Sequence, residues 1–100
     1  MGGWLAYAWN GSLFVKRFPF RPEGVYPDRG SSAEVFVNGE MLELESLGPL
    51  VKLEPGQALE HLETWELYGD VAFPNAARTD RFWLEVQSII REVVLRNWPV

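Results

Sequence analysis

The chain contains no cysteine and one histidine, His61. Without cysteine, neither a disulfide framework nor a thiolate-bound metal is available, and the composition fits a reducing compartment. A lone histidine makes no catalytic constellation by itself. Long hydrophobic runs are missing as well: none approaches the roughly 20 residues that a membrane-spanning helix needs. The opening stretch MGGWLAYAW has neither the basic start nor the small-residue cleavage site of a signal peptide. The expectation is a cytoplasmic protein without a membrane partner. Basic residues are few, 9 Lys and Arg against 14 Asp and Glu, for a net charge of −5. The deficit is concentrated. Residues 40–70 carry Glu40, Glu43, Glu45, Glu54, Glu60, Glu63, Glu66 and Asp70 against Lys52, so the rest of the chain is slightly positive. Neutralising phosphates takes a basic stripe, and an acidic middle argues against nucleic acid.

What is present is core-forming material. Of the 100 residues 47% are hydrophobic and 14% aromatic, with five tryptophans, enough for one domain spanning residues 1–100. The dominant period is two. WLAYAWNGSLFVKRF has apolar runs on both sides of Asn10-Gly11, a pair whose tolerance of positive φ suits a type I′ hairpin. AEVFVNGEMLELESL repeats the arrangement around Asn38-Gly39. Pro55-Gly56, between LVKL and ALEHLETWELY, predicts a third antiparallel return. PFRPEGVYPDRGSS, with three prolines and two glycines, predicts a loop. About six antiparallel strands are expected over residues 4–68.

After Tyr68 the period lengthens. TDRFWLEVQSIIREVVLRNW sets Phe82, Val86, Ile89, Ile90 and Val93 at helical spacing, with Thr79 or Asp80 as cap and Pro99 as stop. A helix over about 79–97 is predicted. Strands followed by a helix give a mainly β chain, an antiparallel β-sandwich with one C-terminal α-helix.

The acidic middle contains the candidate site. On a strand, Leu42 and Leu44 point one way and Glu43 and Glu45 the other. Beyond the Pro-Gly turn, Leu59, His61, Glu63, Trp65 and Leu67 share one face. Neither face is purely apolar, which suits the wall of a polar groove; a solvated sheet face is the alternative reading. Trp65, between Thr64 and Glu66, presents a ring of the kind that stacks on sugars. Glu43, Glu45, His61 and Glu63 match no metal-binding spacing, so no metal or other cofactor is expected.

LELESLGPLVKLEPGQALEHLETWELY resembles the C-terminal strands of the galactose mutarotase (aldose 1-epimerase) superfamily. It resembles still more an uncharacterised bacterial group with that β-supersandwich. The matching elements are Tyr26-Pro27-Asp28, residues 43–49, residues 53–56 and Trp65. The resemblance implies a partial supersandwich, here the last third of a larger domain, and a sugar ligand. By position it makes Glu45, in Leu44-Glu45-Ser46, the general base of an epimerase; the groove reading adds Glu43, His61 and Trp65 as substrate-binding residues, although His61 lies where the family does not place its acid. The family's acid is a histidine on an earlier strand, and no histidine precedes Glu45 here. Leu47 also stands where sugar mutarotases often carry glutamine. The expectation is therefore a carbohydrate-binding β-domain that is catalytically inactive alone. The alternatives are a self-assembly module without ligand, or an epimerase completed by a second chain. A partial sheet exposes its edges. A homo-oligomer is expected, formed through a sheet edge or through the helix stripe of Phe82, Val86, Ile90 and Val93.

Overall fold

The computed structural model describes residues 2–73 and 80–96; the side chains of residues 80–83 and 94–96 are outside the description. The chain is mainly β. Five strands precede one helix: β1 (Gly2–Trp9), β2 (Ser12–Pro19), β3 (Ala33–Val37), β4 (Leu42–Ser46), β5 (Thr64–Tyr68) and α1 (Asp80–Arg96). They form a three-stranded sheet in the order β1-β2-β5 and a two-stranded sheet, β3-β4. The chain divides into two compact units, Met1–Tyr7 with Phe14–Glu66, and Ala8–Leu13 with Leu67–Val100.

In the first unit, β2 alternates between two environments. Val15 is fully buried, Arg17 is buried beside it in the period-two pattern, and Phe14, Lys16 and Phe18 take the opposite face. Gly3 is required on β1, because a Cβ there would sit 2.7 Å from the Phe18 ring. The loop between β2 and β3 is held by its own contacts. Buried Tyr26 stacks on Phe20 at 5.1 Å, and its hydroxyl accepts the Arg21 N–H at 3.1 Å. Arg29 and Gly30 both take positive φ, and Leu50 N–H donates to Val25 O at 2.7 Å.

The β3-β4 hairpin is antiparallel, running from Ala33 opposite Ser46 to Val37 opposite Leu42. Its turn is not the type I′ form, since neither Asn38 nor Gly39 has positive φ. The Asn38 side chain accepts the N–H groups of Glu40 and Met41, each at 2.8 Å, which turns the chain without a left-handed residue.

The third expected return is the main departure. Pro55-Gly56 does turn the chain, with Gly56 at φ 86° and Gln57 N–H bonded to Glu54 O at 3.0 Å. Yet LVKL is not a strand, and β5 begins only at Thr64. Residues 50–60 are exposed throughout, so Leu50, Val51, Leu53 and Leu59 bury too little surface to order a ladder. The strand count is five rather than six among the described residues.

In the second unit, Asn10 (φ 49°) and Gly11 (φ 80°) form the left-handed pair that a two-residue hairpin requires. Val71 N–H donates to Gly11 O at 2.9 Å, and Leu13 is fully buried. The helix is found where its period placed it. Val86, Ile89, Ile90 and Val93 are half-buried, while Phe82's side chain and Thr79 and Pro99 lie outside the described residues. Ile89 and Val93 line a cavity of about 340 Å³ with Tyr68–Ala72 and Glu92. No helix among the described residues is long and apolar enough to cross a membrane.

Val15→Ala is expected to cost about 2 kcal/mol through lost transfer energy and the cavity left behind. Leu62→Ala, at an exposed position, is expected to change stability by less than about 0.5 kcal/mol. Urea unfolding of the two variants measures both.

Candidate functional site

Two cations stand side by side in an otherwise apolar strand, and the first unit is arranged around satisfying them. Lys16 Nζ lies 2.7 Å from Glu63 Oε2 and donates to Leu44 O at 2.7 Å. Its side chain is only 10% exposed. Arg17, on the other face, is paired with Glu66: Nη2 donates to Oε2 at 3.2 Å, while Nε stands 2.7 Å from Oε1 as an ion-pair contact without hydrogen-bond geometry. A buried charge is tolerated only when paired and hydrogen-bonded, and both are.

The Lys16 pair continues into a chain of polar contacts. Ser46 Oγ donates to Glu63 Oε2 at 2.5 Å and lies 2.8 Å from His61 Nε2. The lone hydroxyl proton goes to the carboxylate, so His61 Nε2 carries the hydrogen of the second contact and donates it. This is the reverse of an activated nucleophile, where the histidine would accept the serine's proton. Lys16, then Ser46, holds the Glu63 carboxyl below its ordinary range, with the Trp65 indole contributing less. The chain His61–Ser46–Glu63–Lys16 therefore ties residues 61–63 to β2 and β4.

Beside Lys16 lies a groove of about 320 Å³, lined by Tyr7, Phe14, Lys16, Leu42, Leu44 and Trp65. Phe14 meets Trp65 edge to face, with ring centroids 6.0 Å apart. Trp65 is 67% exposed and Tyr7 is also open to solvent, so two aromatic rings are available to a ligand.

The four residues expected to form one site are divided between two faces of β4. Trp65 lines the groove, and His61 joins it through Ser46, Glu63 and Lys16. Leu42, Leu44 and Ser46 face that side, so alternation turns Glu43 and Glu45 to the other. There Glu45 is opposite Glu34 in the ladder, Glu43 is opposite Phe36, and Asp28 reaches Glu34. The hydrogen bond to Asp28 raises the Glu34 pKa, and the hydrogen bond to Glu45 raises that of Glu43. Among the described residues no three metal-ligating side chains converge. Lys16 and Ser46 were not singled out from the sequence. The available signal was Lys16-Arg17 inside SLFVKRF, because two cations in an apolar strand demand carboxylate partners.

The two groups of carboxylates respond oppositely to acid. Glu63, with a lowered pKa, contributes stability above its ordinary 4.5 that is lost as pH falls through the lowered value. Glu34 and Glu43, with raised values, contribute fully in acid and lose that contribution as pH rises through them. Urea midpoints measured against pH are expected to show Glu63→Gln less stable than wild type at neutral pH, the difference closing in acid. Glu43→Gln is expected to be more stable at neutral pH, its gain also vanishing in acid. Compared with protein-family models, curated proteins and solved structures, the chain matches none.

Proposed function

We propose that the chain is a carbohydrate-binding β-domain of mutarotase-like sandwich architecture that holds a sugar ring in the groove and is catalytically silent alone. The observation that carries this reading is the pairing of solvent-open Trp65 and Tyr7 with a polar wall at Lys16. A pyranose has one C–H-rich face and a rim of hydroxyls. The first suits an indole, and the second suits a wall of fixed donors and acceptors. Glu63 neutralises Lys16, so the groove favours a neutral sugar over an acidic one.

The silence follows from the strand alternation. Glu45, the base that the mutarotase resemblance would supply, is on the face of β4 opposite Leu42 and Leu44, which line the groove. A general base must come within hydrogen-bond reach of its proton. A ring stacked on Trp65 is out of reach of Glu45. A self-assembly module without ligand is the second reading, favoured by the exposed Leu50, Val51, Leu53, Leu59 and Leu62.

Titration with D-galactose and D-glucose, followed at the Trp65 indole N–H by NMR, tests the first reading. A dissociation constant of about 1 mM is expected, weakened about tenfold by Trp65→Ala, a change of about 1.4 kcal/mol. Glu45→Gln is expected to bind as wild type does, and neither protein to speed anomer exchange. Absence of any shift at Trp65 would leave the self-assembly reading; anomer exchange that depends on Glu45 would restore the epimerase.

A further inference from the structure

The two edges of the β3-β4 sheet are treated differently by the rest of the chain. Just outside the ladder, Leu47 N–H donates to Ser32 O at 2.9 Å and Asn38 N–H to Met41 O at 3.0 Å. Both pairs continue the register in which Ala33 is opposite Ser46. Hydrogen-bonded and non-bonded pairs alternate in an antiparallel ladder. Glu34 and Phe36 therefore bond to β4, while Ala33, Val35 and Val37 turn their N–H and C=O groups outward. On β4 the same alternation turns Leu44 outward, and its carbonyl is the one that Lys16 takes at 2.7 Å. The middle of that edge is thus obstructed by a lysine. Among the described residues no hydrogen bond takes the outward groups of Ala33, Val35 or Val37.

The open edge carries Val35 and Val37 on one face and Phe36 beside Glu34 on the other. Val35, Phe36 and Val37 are 55%, 50% and 66% exposed. Such an edge is a template for another strand.

We infer that β3 pairs with β3 of a second copy, antiparallel about a two-fold axis through Val35, to give a four-stranded sheet β4-β3-β3-β4. The sequence of the strand selects this occupant. With Val35 opposite itself, Ala33 meets Val37 of the second copy, and all three residues are those whose backbone groups point outward. About six hydrogen bonds form. Glu34 meets Phe36 of the second copy rather than another carboxylate, which avoids the like-charge opposition that destabilises ladders. Centring on Phe36 instead pairs Val35 with Val37 but leaves Ala33 opposite Gly39, outside the strand, with fewer bonds. A joint five residues long makes a weak, concentration-dependent dimer, and it forms independently of any sugar.

Sedimentation equilibrium over a range of loading concentrations tests this on the full chain. Wild type is expected to approach twice the chain mass at high loading and to return to monomer on dilution. Val35→Pro removes an N–H that has no hydrogen bond among the described residues, so the hairpin keeps its ladder while the joint loses its centre. The variant is expected to stay at monomer mass with an unchanged far-UV spectrum. Val37→Lys, an edge charge that leaves the backbone intact, gives the same result if proline perturbs the fold. Amide exchange supplies the second readout: Val35 and Val37 become protected as concentration rises. A wild type that is monomeric throughout overturns the inference. So does a dimer that survives both substitutions, or a dimer in which those two amides exchange freely; either would point to another surface.

Discussion

The ammonium of Lys16 is the group around which the first unit is built. A lysine on a central strand loses its hydration when the strand is covered, and the loss must be met by fixed partners. Glu63 and the Leu44 carbonyl meet it, the first from the stretch before β5 and the second from the edge of β4. Three pieces of chain distant in sequence are thereby brought to one point. Glu63 in turn accepts from Ser46, which accepts from His61, so the residues leading into β5 are fixed to the β3-β4 hairpin without a ladder of their own. Removing the lysine's charge would leave a carboxylate and a carbonyl with their main donor gone. Breaking such a pair costs far more than the pair contributes in isolation.

Arg17 adds direction to this anchor. Adjacent residues of β2 send charges to opposite faces, Lys16 toward the groove and Arg17 toward Glu66. Slipping the strand by one residue would exchange these environments, leaving a forked guanidinium where a compact ammonium is held between two oxygens. Lysine and arginine differ too much in shape and hydration for that exchange to be neutral. The paired cations therefore specify register in a strand whose apolar residues, Leu13, Val15 and Phe18, would tolerate more than one alignment.

Local chemistry was legible in the sequence, and distant chemistry was not. Asn10-Gly11 requires two left-handed residues in succession, and the chain supplies them at that point. The alternation of Leu42, Glu43, Leu44 and Glu45 predicts two unlike faces, and β4 has them. What each face meets is a different matter. Whether His61 shares a face with Glu45 depends on which side of β4 the later residues cross, and no local pattern carries that information. The Pro55-Gly56 turn shows the same limit, since the turn residues suffice for the turn but not for strands on either side. Lys16 and Glu63 lie far apart in sequence, and only the cost of leaving Lys16 unpaired hints that such a partner exists.

The same hairpin carries the proposed contact between copies of the chain. One face lines the groove; the other carries Glu34, Glu43 and Glu45 with Asp28 beside them, and like charges on a shared face oppose stacking of one sheet on another. That leaves the edges. A strand pair with two open edges would add copies without end, because each addition presents a fresh edge. Here Lys16 occupies the outward carbonyl of Leu44 at the middle of the β4 edge, which obstructs a strand there and leaves β3 the more open of the two. The proposed pairing of β3 with itself consumes the more open edge of both partners, so that interface would be self-complementary and would favour closure at two. The buried lysine that anchors the first unit would thus also disfavour further addition at β4.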